Sequence, residues 1–312
     1  MSPKRSLASR RPDIMLMRGL LTALLRESRI ARRLRVPVWK MFYNLSRQDN
    51  RGSDLMDFMN LGYLAEADAG TVDDTVEIID HLSERLYDRV VEGVELEDRT
   101  VLEVGCGPGA GSAHMAAAYG PASLLGIDLS NDMISWCREH HAAANLSFEQ
   151  GNAQDLPVAT GSVDVVVNVE SSHCYPSRLR FFEEVKRVLR PGGSFVCADI
   201  IVSPTRKKEA QDTVSPQLKE AGLALDNCTD ITENVMAARS AVSRSQAFQA
   251  LFREKTPAVV APFVEECIFL PGSNAYARMA SREVIYLLWT ASKPGDSLAT
   301  PNVAGTVGAG VE

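Results

Sequence analysis

The chain has 312 residues, 45% of them hydrophobic and 23% charged, which is enough apolar material for a full core and excludes wholesale disorder. No apolar run approaches the ~18–20 residues of a spanning helix, so the sequence does not read as an integral membrane protein. The net charge of −7 hides a split: residues 1–40 carry eleven Lys/Arg against two Asp/Glu, a net of +9, which leaves −16 on the remainder. An acidic body is unsuited to gripping a phosphate backbone, which argues against a nucleic-acid partner.

In the basic arm, Ile14, Leu16, Met17, Leu20, Leu21, Leu24 and Leu25 recur at roughly helical spacing. Three roles stay open for it: a helix packed on the body, a membrane-surface helix giving peripheral association, or an organelle-targeting segment. No secretory signal is read, because Arg18 interrupts the apolar stretch 15–25. The six cysteines (Cys106, Cys137, Cys174, Cys197, Cys228 and Cys267) form no C-x-x-C pair and no Cys/His zinc spacing. A cytoplasmic, reducing compartment and a site without metal are therefore expected.

Val76, Ile79, Leu82, Leu86 and Val90 predict an amphipathic helix over 71–91. A β-branched run at 100–104 reads as a strand, ended by a cluster of glycines, with a helix over 112–119. Strands follow at 123–127, 146–150, 162–169 and 194–202, with helices over 131–144 and 177–189, and Arg190-Pro-Gly-Gly193 reads as a tight turn. Strands alternating with helices in this way predict a doubly wound, parallel α/β sheet covered on both faces. Beyond it, a helix is expected over 207–221, a strand over 224–231, one helix over 233–253, another near 257–267, and a closing strand over 282–291. The tail after Pro294 shows no pattern and reads as disordered.

Glu103-Val-Gly-Cys-Gly-Pro-Gly109 sits where the first strand turns into a helix, and its glycines let the backbone pass close to a ligand. As a glycine motif alone it also satisfies a relaxed dinucleotide fingerprint. Glu103 would repel a pyrophosphate and attract a cation, and Pro108 removes an N–H from the loop. A ligand with an ammonium and a sulfonium thus fits better than one with two phosphates, favouring S-adenosylmethionine over a nicotinamide dinucleotide. Asp128, 19 residues past Gly109 at the end of the second strand, suits a pair of ribose hydroxyls; a helix cap is its plainer role, which Ser130 and Asn131 could fill instead.

Val101-Leu-Glu-Val-Gly-Cys-Gly-Pro-Gly109, Gly126-Ile-Asp-Leu-Ser130, Gly151-Asn-Ala-Gln-Asp-Leu-Pro157 and Arg190-Pro-Gly-Gly193 resemble the ordered motifs of class I S-adenosylmethionine-dependent methyltransferases. The resemblance covers roughly residues 70–205 and implies a seven-stranded, mostly parallel sheet whose last strand is antiparallel. It implies that Glu103, Gly105 and Gly107 flank the methionine moiety and that Asp128 and Leu129 hold the ribose. Asn152 would pair with the adenine amino group, beside Ala153, at a position where the family more often has Asp. Asn168, at the end of the fourth strand, is also expected to touch the cofactor. Asp57-Phe-Met-Asn-Leu-Gly-Tyr63 resembles the element that small-molecule members fold over the cofactor as a lid, which assigns Tyr63 to that lid.

The fourth strand ends in Asn168-Val-Glu-Ser-Ser-His-Cys-Tyr-Pro176 rather than the Asn/Asp-Pro-Pro-Tyr/Phe of enzymes that methylate amino groups of nucleic acids and proteins. His173 is placed to take a proton from an acceptor hydroxyl, with Asp199 at the end of the fifth strand fixing its tautomer. This placement resembles natural-product O-methyltransferases. The Glu-Ser-Ser-His-Cys-Tyr-Pro run, with Leu270-Pro-Gly-Ser273, Tyr276 and Tyr286, resembles phthiotriol dimycocerosate methyltransferases. Phe248, Phe252, Phe263 and Phe269 either line an apolar substrate pocket or pack the cap.

The expectation is an S-adenosylmethionine-dependent methyltransferase that O-methylates a polyketide, lipid or other hydrophobic small molecule, with a homodimer left open. C- or N-methylation of a small molecule, an S-adenosylmethionine-binding cyclase that transfers no methyl, and a nicotinamide dehydrogenase are the alternatives. The expected organisation is an N-terminal helical arm and lid (1–70), a Rossmann-like cofactor domain (71–232), a cap insertion (233–280), a final strand (281–293) and a disordered tail (294–312).

Overall fold

The β-branched run after residue 99 forms strand β1 (Thr100–Val104), the first of seven strands in one sheet. This computed structural model describes residues 58–68, 70, 72–202, 211–256, 258 and 261–295. The basic arm, Asp57 and the tail from 296 lie outside the described residues, and so do the roles expected of them. Helix α1 (Ile78–Val91) precedes β1, and α2 (Ala110–Ala118) follows it. Then come β2 (Ser123–Asp128), α3 (Asn131–His140), β3 (Leu146–Gln150), β4 (Val163–Val169), α4 (Arg178–Val188) and β5 (Leu189–Val202). Helix α5 (Gln211–Ala221) and β6 (Ala224–Asp230) lead to the cap helices α6 (Thr232–Arg244), α7 (Gln246–Lys255), α8 (Ala261–Cys267) and α9 (Asn274–Ala280), and β7 (Val284–Ser292) closes the sheet.

The strand order is β3-β2-β1-β4-β5-β7-β6, with β7 antiparallel to both neighbours and the other pairings parallel. The order reverses between β1 and β4, which opens a crevice at their carboxyl ends where ligands bind in such sheets. The strands alternate between two cores, as the pleat requires. Val165, Val167, Val196, Ala198, Tyr286 and Leu288 pack toward α1 and α2. Leu102, Val166, Phe195, Cys197, Leu287 and Trp289 pack toward Phe181, Phe182 and Val185 of α4 and Leu218 of α5. A third cluster joins Leu64, Ile79 and Leu82 to Ala238, Val242 and Phe248, so the cap is fastened to α1 and the lid segment.

Several expected elements change length for identifiable reasons. Helix α1 starts at Ile78 rather than 71, and Val76 is 41% exposed. The Asp74 carboxylate instead accepts hydrogen bonds from Ser245 Oγ (2.6 Å) and the Ala247 N–H (3.1 Å), pinning that turn to the cap. Helix α3 ends at His140, four residues early, as His141 turns to Pro108 O (3.0 Å). The single helix expected over 233–253 is two, broken at Ser245, whose extended backbone (ψ 123°) ends α6 and whose Oγ caps α7 at the Phe248 N–H (3.0 Å). Helix α9 was not foreseen; Ser273 caps it. Arg190-Pro-Gly-Gly193 lies within β5 as an irregularity, marked by a register shift opposite Val163 and Val165, rather than as a turn outside it.

Candidate functional site

The glycine turn after β1 is stapled to β2: the N–H groups of Gly105 and Cys106 both donate to Ile127 O, at 2.7 and 3.0 Å. Gly107 adopts φ +54°, and a β-carbon there would meet nothing nearer than Met59 Sδ at 3.7 Å. The turn thus presents open backbone to the crevice, with the lid segment lying across it. Asp128 locks the turn in place: Oδ2 accepts from the Gly107 N–H (3.1 Å) and Oδ1 from the Ser130 N–H (2.8 Å). Each oxygen keeps a further lone pair, as binding a pair of hydroxyls requires. Burial raises the Asp128 pKa against these hydrogen bonds. Beside it Leu129 is 69% exposed, a large apolar side chain at the lip of the crevice.

Glu103 is in a different position from the one its sequence suggests. Its carboxyl is 1% exposed, beneath the turn, accepting from Tyr87 Oη (2.7 Å) and from Ser112 Oγ. Burial raises its pKa to about 7 in spite of those bonds. Asn152 is exposed at the end of β3, with Oδ1 accepting from the Gln154 N–H (3.0 Å), and Ala153 is buried behind it. Asn168 is fully buried and turned inward. Its Nδ2 donates to Val104 O (2.8 Å), Ser171 Oγ (3.0 Å) and Tyr175 Oη (3.1 Å), so it braces β1 against the segment after β4. Tyr63 is half-buried on the lid segment, its N–H donating to Leu82 O (2.9 Å).

His173 and Asp199 meet as expected. A short 3-10 turn (Ser172–Cys174) follows β4 and aims the imidazole Nδ1 at Asp199 Oδ1, 2.6 Å away. Asp199 is fully buried, while the His173 side chain keeps 29% of its surface. With Nδ1 taken by the carboxylate, proton exchange with a substrate would run through Nε2, and the Cys174 thiol also hydrogen-bonds the ring. Asp199 Oδ2 also accepts from the His173 N–H (2.8 Å) and Ser172 Oγ, with Arg178 Nη2 at 3.9 Å. Burial opposes charge on both partners, but their mutual attraction prevails: the His173 pKa stands well above 6.5 and that of Asp199 is lowered.

Two further charged groups join this end of the sheet. Glu170, directly after β4 with φ +47°, accepts from the Leu61 N–H (2.6 Å) and Tyr286 Oη (2.8 Å), tying the lid to β7. Burial raises its pKa to about 7. Arg239 of α6 is 1% exposed. Glu170 lies in the motif already singled out, but nothing near Arg239 in the sequence marks a helix residue as interior. Phe248 and Phe252 pack on each other (ring centres 5.5 Å apart) within the cap cluster, which is the packing role rather than the pocket role.

The crevice suits an adenosyl amino acid on its own evidence: open backbone at Gly107, paired acceptor capacity at Asp128 and an exposed apolar surface at Leu129. Residues 102–197 match the family model described as "Methyltransferase domain". The fatty-acid O-methyltransferase of Mycolicibacterium smegmatis is 31% identical over 275 residues, covering 86% of this chain and 96% of that protein. A probable phthiotriol/phenolphthiotriol dimycocerosates methyltransferase of Mycobacterium ulcerans is 41% identical over 163 residues, 52% of this chain and 63% of that protein. Among solved structures, a putative sarcosine dimethylglycine methyltransferase from Galdieria sulphuraria superposes with a TM-score of 0.62 at 15% identity, covering 77% of this chain and 94% of that one, a likeness of fold. A relative matched over nearly its whole length, on a sheet of this order, settles the family: the chain belongs to the class I S-adenosylmethionine-dependent methyltransferases, in the small-molecule group that includes fatty-acid O-methyltransferase and the phthiotriol dimycocerosates methyltransferases.

Proposed function

We propose that this enzyme transfers the methyl group of S-adenosylmethionine to an oxygen of a hydrophobic lipid or natural-product acceptor, with His173 as general base. The cofactor would lie over Gly105 and Gly107, its ribose hydroxyls on Asp128 and its adenine against Leu129, near Asn152 and Ala153. When bound, it supplies an electrophilic sulfonium methyl. The chain's own residues do the rest. Glu103 lends a negative field from beneath the turn, Asn168 keeps the ends of β1 and β4 in register, and the lid segment with Tyr63 and Met59 covers the crevice against water.

The observation that carries the reading is the His173–Asp199 pair beyond the end of β4, with Nδ1 held at 2.6 Å. An acceptor hydroxyl must lose its proton as it attacks, and Nε2 receives it while Asp199 stabilises the resulting imidazolium. The relatives' names support the acceptor class: they act on fatty acids and on phthiotriol dimycocerosates. No helix among the described residues is long and apolar enough to cross a membrane, which leaves a lipid acceptor to be taken from solution or from a membrane surface. Incubating the protein with methyl-labelled S-adenosylmethionine and a panel of hydroxylated lipids tests the reading. Label in a methoxy group supports it, and label on carbon or nitrogen refutes it.

A further inference from the structure

Arg239, on α6, turns a charged side chain inward that the scheme above does not use. It is 1% exposed, and its Nε and Nη2 atoms have no hydrogen-bond partner. Those two atoms are the parallel donors on one edge of a guanidinium, the edge that receives both oxygens of a carboxylate. The group lies under the lid: a β-carbon at Gly62 (φ +72°) would come 3.1 Å from Nη2, so only glycine lets the lid backbone lie there. Glu170 attracts it, but Glu170 Oε1 is occupied by the Leu61 N–H and Tyr286 Oη. Burial outweighs that attraction and draws the Arg239 pKa down to about 10, which still leaves it charged at neutral pH. A buried guanidinium with two donors unmet is unfavourable unless an acceptor completes it.

We propose that Arg239 is the carboxylate-binding residue of this site, its Nε/Nη2 edge receiving both oxygens of a carboxylate that enters beneath the lid. A singly charged planar group fits where a doubly charged phosphate would be repelled by Glu170. Two ligands bring such a group to this place: the amino-acid end of S-adenosylmethionine, and an acceptor that is itself a carboxylic acid. The inference rests on the crevice being the cofactor site.

Calorimetry on the full chain separates these sources. Wild type, Arg239→Gln and Arg239→Lys are titrated with S-adenosylhomocysteine, with 5′-methylthioadenosine, which lacks the amino-acid half, and, once loaded with S-adenosylhomocysteine, with a long-chain fatty acid and the matching alcohol. Arg239→Gln is expected to lose about tenfold or more in affinity for S-adenosylhomocysteine but not methylthioadenosine, which identifies the cofactor as the source. Loss for the fatty acid but not the alcohol identifies the acceptor. Arg239→Lys, which keeps charge but not the edge, should fall between, and unliganded Arg239→Gln should melt no lower than wild type. Unchanged affinities in a folded variant, or a lowered melting temperature with unchanged affinities, would overturn the assignment. A wild-type protein that ignores S-adenosylhomocysteine would instead overturn the cofactor reading.

Discussion

At the residue scale, the central feature is the proposed base, His173, whose pKa is raised by its partner Asp199. Asp199 holds His173 well above 6.5, so at neutral pH the imidazole is largely protonated and its free-base fraction grows as pH rises. The rate of methyl transfer should therefore climb with pH above neutrality. Asp199→Asn removes the charge that keeps the proton on, so the ascending limb of kcat/KM should move to lower pH, while the maximal rate falls because the tautomer is no longer fixed. A pH–rate profile checks this, and an unmoved limb would exclude Asp199 as the group that tunes the base. Asp128 carries a separate load. Asp128→Ala deletes the acceptor proposed for two ribose hydroxyls and releases the Gly107 N–H, and charge-assisted hydrogen bonds are worth roughly 1.5–3 kcal/mol each. Affinity for S-adenosylhomocysteine should fall at least about tenfold in calorimetry.

At the scale of elements, sequence and structure agree where one rule dominates and part where distant contacts decide. Strands β1 and β3 lie where their β-branched and alternating residues place them: β1 because a buried parallel strand leaves little choice, β3 because its alternation suits an edge strand that buries Phe148 alone. The break between α6 and α7 was not legible: Ser245 sits in an unbroken helical pattern, and only its bond to Asp74, 171 residues away, shows why the helix stops. Ser245→Ala removes both the cap and that tie, and should cost about 1 kcal/mol of stability, within a usual range of roughly 0.5–2, read as a lower melting temperature. The site divides in the same way. Asp128 at the end of β2, His173 just past β4 and Asp199 near the end of β5 lie where the sequence places them, because the topology fixes what the end of a strand can face. Tyr87, Ser112 and Arg239 were not legible, since they reach Glu103 or the lid from helices whose local patterns give no hint of it. Glu103, expected to flank the methionine moiety, lies buried beneath the turn.

At the scale of the whole molecule, the carboxyl ends of β1, β2 and β4 gather buried acids whose charge burial disfavours. Glu103 titrates near 7 in the folded protein rather than at its ordinary 4.5, so the native state binds its proton more tightly than the unfolded chain does. Its contribution to stability is fully present below pH 4.5 and is lost as pH rises through about 7, a change of about 3 kcal/mol. The unliganded protein should become less stable across that window, and Glu103→Gln should flatten the slope in melting curves taken from pH 5 to 8. In the proposed mechanism, crevice, lid and cap serve one event, proton removal by His173 as a methyl group passes to oxygen. Single-turnover transfer of labelled methyl to a hydroxylated lipid, with enzyme saturated in S-adenosylmethionine, measures that event directly. His173→Ala should slow it about 10²–10⁴-fold while cofactor affinity stays within about twofold of wild type. Transfer at the wild-type rate in that variant would contradict the account.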